Sequence, residues 1–443
     1  MLYILVLILP FLTSANLFQA LMKEGCEYDR ETTSYVCVKI TTQFPKMYFA
    51  EYRVKCVYCS IEVFTNETFP SKSGLRTFDV SGSKIHTITS KAFENLKYLE
   101  QLNLENNEIS NITEDAFYGL RRVFELHLEN NKIRTLTPGF LNEFEANVIQ
   151  LKNNELVEIP NEVFKGLHGT LILDMSYNSI STLYPDSLKY LKGIEVLDLE
   201  GNDLCTFPVG VFKHIRGLRT LNLALNKFSS FPRGLFSPLT ELMHLNISHN
   251  HLKTFRADML LPLRIIRLDI SGNSLKTLDV ISVRENIPQL QWLVLNDNFW
   301  RCDDLETIVR YFTIKKVDVA YYSSDRYDVT NINGIACLEE NVRVELKDIP
   351  SFLEAVKFAT STHKRCIAGV CGQSLNDFCH VDDNLPVERS PLDLRVPLQE
   401  QISEVQDISD GSTDELEPSD LQDGRNKILP YKEALAKAHG EEA

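Results

Sequence analysis

His244, His249 and His251 fall within MHLNISHNHL, a density that raises metal binding first. No cysteine or carboxylate completes a ligand set, and the spacing puts the three rings on different parts of a strand and its turn, so neither a metal nor a cofactor is expected. Asp198 and Glu200 form a carboxylate pair of the kind that acid–base chemistry uses, but two residues apart on one strand they read as a solvated face with no enclosing pocket. A pocket joining His127 to Glu105 or Glu129 would argue for a hydrolase. There is no glycine-rich phosphate loop and no nucleophile elbow. The CxxC from Cys56 to Cys59 lacks the βαβ context of a redox motif. The sequence therefore predicts a chain that is not an enzyme.

The elements that must carry these residues come from a repeat. Ten copies of LxxLxLxxNxL begin at Leu75, Leu99, Val123, Ala146, Thr170, Ile194, Leu218, Leu242, Ile265 and Leu290, at intervals of 23 to 25 residues. In LEQLNLENNEI, Leu102 and Leu104 alternate with Asn103, the period of a short strand with one buried face. Stacked at roughly 4.8 Å per strand, ten such strands make a parallel concave sheet on the order of 45 Å long. The ninth position reads Ser83, Asn107, Asn131, Asn154, Asn178, Asn202, Asn226, Asn250, Asn273 and Asn298. A buried amide both donates and accepts, so this column should satisfy backbone groups in the turns. A phenylalanine column (Phe93, Phe117, Phe140, Phe164, Phe212, Phe236), with Leu188 and Leu260 standing in, should fill the core behind the sheet.

These repeats resemble the typical 24-residue subtype of extracellular leucine-rich repeat proteins, the family of Toll-like ectodomains, Slit-like guidance proteins and insect secreted leucine-rich immune proteins. The resemblance covers about two-thirds of the chain, from Cys26 to Cys337. It implies an α/β repeat solenoid, a leucine-rich repeat horseshoe with a parallel concave sheet, disulfide-bearing caps and a disordered acidic C-terminal tail. Cys26, Cys37, Cys56 and Cys59 look like the family's amino-terminal cap, which implies the pairs Cys26 with Cys37 and Cys56 with Cys59. At the far end NDNFWRCDDLETIVRYF resembles the start of the carboxy-terminal cap: Trp300 closes the core, and Cys302 begins a helix with Leu305, Ile308, Val309 and Phe312 on one face. Asp304 stands where the family has its second cap cysteine, so Cys302 is expected to pair with Cys337.

Four of the ten cysteines remain, Cys205, Cys366, Cys371 and Cys379. Cys205 reads either as a small, partly buried thiol or as a bond to the tail or to another chain. The other three lie within fourteen residues, so at least one looks outside its cluster or stays free, and a disulfide-linked homo- or hetero-dimer is an open alternative.

MLYILVLILPFLTSA reads as a secretory signal cleaved near Ala15. The expected organisation is 1–15 signal peptide, 16–74 amino-terminal cap, 75–300 ten repeats, 301–360 carboxy-terminal cap, 361–380 cysteine cluster and 381–443 acidic disordered tail. No later run is long and apolar enough to span a membrane. Residues 382–423 hold thirteen acidic and two basic residues, a net −11 of the chain's −15, with few aromatics. No basic stripe exists to displace counterions, so nucleic acid is not an expected partner. Asn66, Asn111 and Asn246 open glycosylation sequons.

The partner, a protein or glycan, should meet the concave sheet. One outward column runs Asp79, Asn103, His127, Gln150, Asp174, Asp198, Asn222, Asn246, Asp269 and Val294. With Glu105, Glu129 and Glu200 from the next column it forms an acidic lane over repeats two to six. In a third column Val148, Ile172 and Val196 stand side by side as an exposed apolar run, and Trp292 should face the same side as an anchor. The resemblance implies a secreted recognition or complex-forming component of extracellular immunity. A matrix or cell-surface adhesion or guidance ligand is the alternative, and a shed receptor ectodomain is a third reading.

Overall fold

The computed structural model describes residues 25–45, 53–57, 59–69, 74–320, 331–332 and 335–338. These lie within one compact unit, Met1–Ser390. The expected signal peptide, the cluster Cys366, Cys371 and Cys379, the acidic tail and the last part of the carboxy-terminal cap lie outside the described residues.

The chain is a leucine-rich repeat solenoid. Its main sheet opens with β1 (Gly25–Asp29), β2 (Ser34–Val38) and β3 (Arg53–Val57). The repeats then add β4 (Thr77–Asp79), β5 (Gln101–Asn103), β6 (Val123–His127), β7 (Phe144–Gln150) and β8 (Ile172–Asp174). They continue through β9 (Val196–Asp198), β10 (Thr220–Asn222), β11 (His244–Asn246), β12 (Arg267–Asp269) and β13 (Trp292–Val294). Asp318–Ala320 is β14. Spatial order follows chain order, and every neighbouring pair is parallel except the β1–β2 hairpin. The parallel sheet thus runs past the ten repeats into both caps, with β3 at one end and β14 at the other. The hairpin occupies the first edge, where unpaired backbone groups would otherwise face outward.

The ninth-position amides hold the turns together. Asn131 accepts from the Ile109 amide at 3.0 Å and donates from Nδ2 to the carbonyls of Leu104 and Leu128, both at 3.0 Å. The same acceptance from the preceding repeat recurs at Asn107, Asn154, Asn178, Asn202, Asn226, Asn250, Asn273 and Asn298. Ser83 departs from the expected ladder: its hydroxyl is buried with no hydrogen-bond partner, because a serine oxygen is too short to reach back as an amide does.

One position earlier, every repeat adopts a left-handed backbone: Gly82, Asn106, Asn130, Asn153, Tyr177, Gly201, Leu225, His249, Gly272 and Asp297 all have positive φ, between 51° and 66°. Glycine and asparagine suit that turn, whereas Tyr177 and Leu225 hold it at a steric cost of order 1 kcal/mol each.

The phenylalanine column is fully buried, and its rings meet repeat to repeat, as in the stacked Phe93–Phe117 pair with centroids 5.6 Å apart. The outer side is made mostly of turns, with short parallel pairs such as Glu158–Ile159 against Thr182–Leu183. Helix is confined among the described residues to α1 (Val280–Asn286), α2 (Cys302–Ile314) and a 3-10 turn at Ala257–Leu260. Trp300 is fully buried and donates from Nε1 to the Leu295 carbonyl at 2.7 Å. Leu305, Ile308, Val309 and Phe312 of α2 cover the end of the core. Disulfides join Cys26 to Cys37, Cys56 to Cys59 and Cys302 to Cys337. Cys205 is half-buried and also disulfide-bonded, so its reading as a thiol is corrected.

Candidate binding face

Sheet register sets the concave columns. Thr77, Gln101, Glu125, Val148, Ile172, Val196, Thr220, His244, Arg267 and Trp292 stand in one row across β4 to β13. Val148, Ile172 and Val196 are therefore neighbours, but they are only 7%, 5% and 3% exposed. The expected apolar patch is corrected to a floor: strands roughly 4.8 Å apart bring branched side chains into mutual contact and close them off.

The acidic lane divides in two. Asp174 and Asp198 are each 6% exposed, so the solvated-face reading fails for Asp198 and the lane loses both carboxylates from its surface, while Glu200 stays half-buried. Their column has a structural task that the sequence reading missed. Asp79, Asn103, Asp174, Asp198, Asn222, Asn246 and Asp269 each accept, through Oδ1, the amide two residues on, at 2.8 to 3.1 Å. This cap ends seven of the ten repeat strands as they enter the left-handed turn. The signal was present in the Asp/Asn bias of the column.

Burial of these carboxylates is costly. Burial pushes the Asp174 carboxyl up, against hydrogen bonding from Ser176 and the charge of Lys152. Burial raises Asp198 further, well above the ordinary carboxylate value, and the charges of Asp174 and Glu200 add to it. Asn222 offers partial relief, donating to Asp198 at 3.3 Å and to Glu200 at 3.0 Å. Among the half-buried groups on the concave side are Glu105, His127, Glu129, Lys152, Glu200 and Trp292, along with Gln101, Gln150 and Arg267.

His127 is clamped between carboxylates of its own strand and turn. Nδ1 lies 2.8 Å from Glu129 Oε1, and Nε2 lies 3.2 Å from Glu125 Oε2. Burial favours the neutral ring, but the hydrogen bonds and charges of Glu125 and Glu129 outweigh it and raise His127 from 6.5 to about 10. Glu105 is elsewhere, accepting from Asn106 and Asn130 at 2.9 and 3.2 Å. The ring is protonated at neutral pH with both nitrogens committed as donors. It has no lone pair with which to take a proton, which removes the base that a hydrolase reading required.

The other sequence candidates are spread out. Asn66 and Asn111 are exposed, while Asn246 is half-buried on the concave sheet with its Oδ1 held by Ser248. Among the described residues no trio of His, Cys, Asp or Glu is placed to hold a metal ion, and no helix is long and apolar enough to cross a membrane.

A family profile described as Leucine rich repeat matches residues 73–133, 145–204 and 216–275. No curated protein matches the chain in sequence. Among solved structures, a chain from the octameric complex of Latrophilin 3, Unc5D and FLRT2, whose leucine-rich repeat component is FLRT2, is similar with a TM-score of 0.56 and 23% identity, over 70% of this chain and 95% of that one. A chain of the Drosophila Toll–Spatzle complex is similar with a TM-score of 0.53 and 21% identity, over 68% of this chain and 40% of its own. A chain of the mouse RP105/MD-1 complex has a TM-score of 0.52 and 19% identity, over 71% of this chain and 53% of its own. At these identities the likeness is one of fold, to leucine-rich repeat chains held in complexes with other molecules.

Proposed function

We propose that this is a secreted, non-catalytic binding protein that recognises a macromolecular partner, a protein or glycan, through its concave face, as a recognition or complex-forming component of extracellular immunity. The observation that carries the reading is the line of half-buried groups Glu105, His127, Glu129 and Glu200, fixed by hydrogen bonds above an apolar floor. Preorganised polar groups over a closed floor bind without first losing side-chain entropy. Trp292 lies on the same face and serves as an anchor. Disulfides at both ends of the solenoid suit an oxidising compartment.

The lane favours a partner with a cationic surface, and binding should weaken with salt. The test is capture of partners from extracellular fluid by the full chain and by a Glu105→Gln, Glu129→Gln, Glu200→Gln variant, with Glu162→Gln on the outer side as control. The reading expects the triple variant alone to lose the partner by tenfold or more. Equal capture by all three proteins would overturn it.

A matrix or cell-surface adhesion or guidance ligand would use the same face, and the match along 95% of a chain from the Latrophilin 3, Unc5D and FLRT2 assembly keeps that reading in view. Binding to intact cells as opposed to soluble or microbial targets separates the two. With Cys205 already in a disulfide, a covalent bond to a second chain falls to Cys366, Cys371 or Cys379.

A further inference from the structure

The flank of the solenoid, where each repeat turns into its strand, carries a row of cations. Lys97, Lys192 and Arg216 are each the second residue of a turn closed by the same bond, from the amide of Leu99, Ile194 or Leu218 to the carbonyl of Leu96, Leu191 or Ile215, at 3.1 to 3.2 Å. Gln101 pairs with Glu125 in register, which sets Arg121 and Arg122 one coil from Lys97 and Tyr98. Val196 pairs with Thr220, which sets Arg216 and Arg219 one coil from Lys192. Five of these six cations are exposed and Arg219 is half-buried. Among the described residues none of the six has an ion pair or a hydrogen bond through its side chain. On the outer turns, by contrast, Lys132, Arg134, Lys189 and Lys227 are held by Glu108, Glu155, Glu162 and Asp203. Two rings accompany the first group, Tyr98 at 62% exposure and Phe124 at 52%. Three carboxylates share this stretch of the flank: Glu100 is taken by Arg76, while Glu145 and Glu195 stand in gaps of the row. The members of the row lie 24 residues apart in the chain and meet only in the fold, so the expectation of no basic stripe is corrected for this flank.

We propose that this flank of repeats two to seven binds a linear sulfated polysaccharide, with Lys97, Arg121 and Arg122 at one end of the row and Lys192, Arg216 and Arg219 at the other. Five strand spacings separate the ends, about 24 Å, a length that suits an extended polyanion and not a single small anion. Unpaired guanidinium forks match the oxygens of a tetrahedral anion, and no internal partner has to be displaced first. The exposed faces of Tyr98 and Phe124 offer flat apolar surface on which the C–H faces of sugar rings can pack. Glu145 and Glu195 decide between polyanions. A flat anionic bilayer, or a single nucleic-acid strand with a charge at every unit, would press negative charge against both carboxylates. A polysaccharide whose sulfates are spaced can lay uncharged stretches there. The site is separate from the acidic concave lane and does not depend on the partner proposed above.

The test measures binding of the full chain to heparin at physiological salt by titration calorimetry, with hyaluronan, which is carboxylated but not sulfated, as the comparison. Two triple variants, Lys97→Gln with Arg121→Gln and Arg122→Gln, and Lys192→Gln with Arg216→Gln and Arg219→Gln, should each weaken heparin tenfold or more and flatten its salt dependence. A third, Lys132→Gln with Arg134→Gln and Lys227→Gln, removes the same charge from the outer turns and should cost less than twofold. All variants are checked for an unchanged thermal midpoint. Tyr98→Ala with Phe124→Ala should weaken heparin severalfold and leave the salt dependence as it was. The concave Glu105→Gln, Glu129→Gln, Glu200→Gln variant should bind heparin at least as well as wild type, which keeps this test apart from that of the concave face. No heparin binding by wild type, an equal loss in the outer-turn variant, or hyaluronan bound as tightly would overturn the site. So would tighter binding to single-stranded polynucleotide or to phosphatidylserine vesicles than to heparin.

Discussion

Replacing His127 with glutamine would remove the positive charge between Glu125 and Glu129 while leaving an amide that can still donate. The folded ring is held at about 10 against 6.5 for the free side chain. At 1.36 kcal/mol per unit that gap sets a ceiling of about 5 kcal/mol, and since the ring is 28% exposed, solvent screening reduces the expected contribution to about 2 kcal/mol. The sign follows from proton counts. Between the two pKa values the folded state holds a proton that the unfolded state has released, so stability falls as pH rises. The contribution is fully present below about pH 6.5 and is lost as pH approaches 10. Urea unfolding of wild type and His127→Gln at several pH values, under non-reducing conditions, measures it as a difference that cancels every other titrating group. The expected difference is about 2 kcal/mol at pH 6, shrinking towards zero at pH 10. Two parallel stability profiles over that range, or an NMR titration of His127 near its free value, would refute the clamp.

Asp198→Asn keeps the acceptor for the Glu200 amide and removes a buried charge beside Asp174 and Glu200; it should raise stability at pH 7 by about 1 to 2 kcal/mol, read by urea midpoint. Leu225→Gly relieves a left-handed backbone at φ 54° and should gain up to about 1 kcal/mol, whereas Gly272→Ala, whose Cβ would stand 2.3 Å from His249 Nδ1, should lose stability. Asn178→Ala strands the Leu156 amide and the Leu151 and Met175 carbonyls, a loss of about 3 kcal/mol that hydrogen exchange should place in the neighbouring repeats. On a denaturing gel after thiol blocking, a band at twice the monomer mass that collapses on reduction would reveal a bond between chains; a monomer in both lanes would exclude one.

The repeat was legible because each feature that stacks must recur in register: leucines, amides and rings return every 23 to 25 residues. Burial on the concave side was not. The alternation that marks Leu102 as inward marks Ile172 and Asp198 as outward, and it carries no information on how far neighbouring side chains close over one another. His127 was noticed, and of the two carboxylates named with it Glu129 is in contact and Glu105 is not, while Glu125 on its own strand went unnamed. Glu105, one repeat away, looked as near as Glu129 on the following turn, and side-chain reach decided between them. The left-handed turn residue and the Asp/Asn strand cap were written in the columns too, masked at Tyr177, Leu225, His127 and Val294, where other residues break the pattern.

The asparagine ladder has a direction. Each amide oxygen accepts from the repeat before it, and each Nδ2 reaches back to that repeat's carbonyl, as Asn131 does to Ile109 and Leu104. A repeat therefore borrows its closing contacts from its successor. As the chain is synthesised, the newest repeat stays unfinished until the next one has been made, so assembly trails the growing end by about one coil. Trimming from the carboxy-terminal side orphans buried amides in the repeat left last, while trimming from the other side leaves a side-chain amide without its distant partners. The lone serine of the ladder stands at the first coil, where a rung has only the cap behind it.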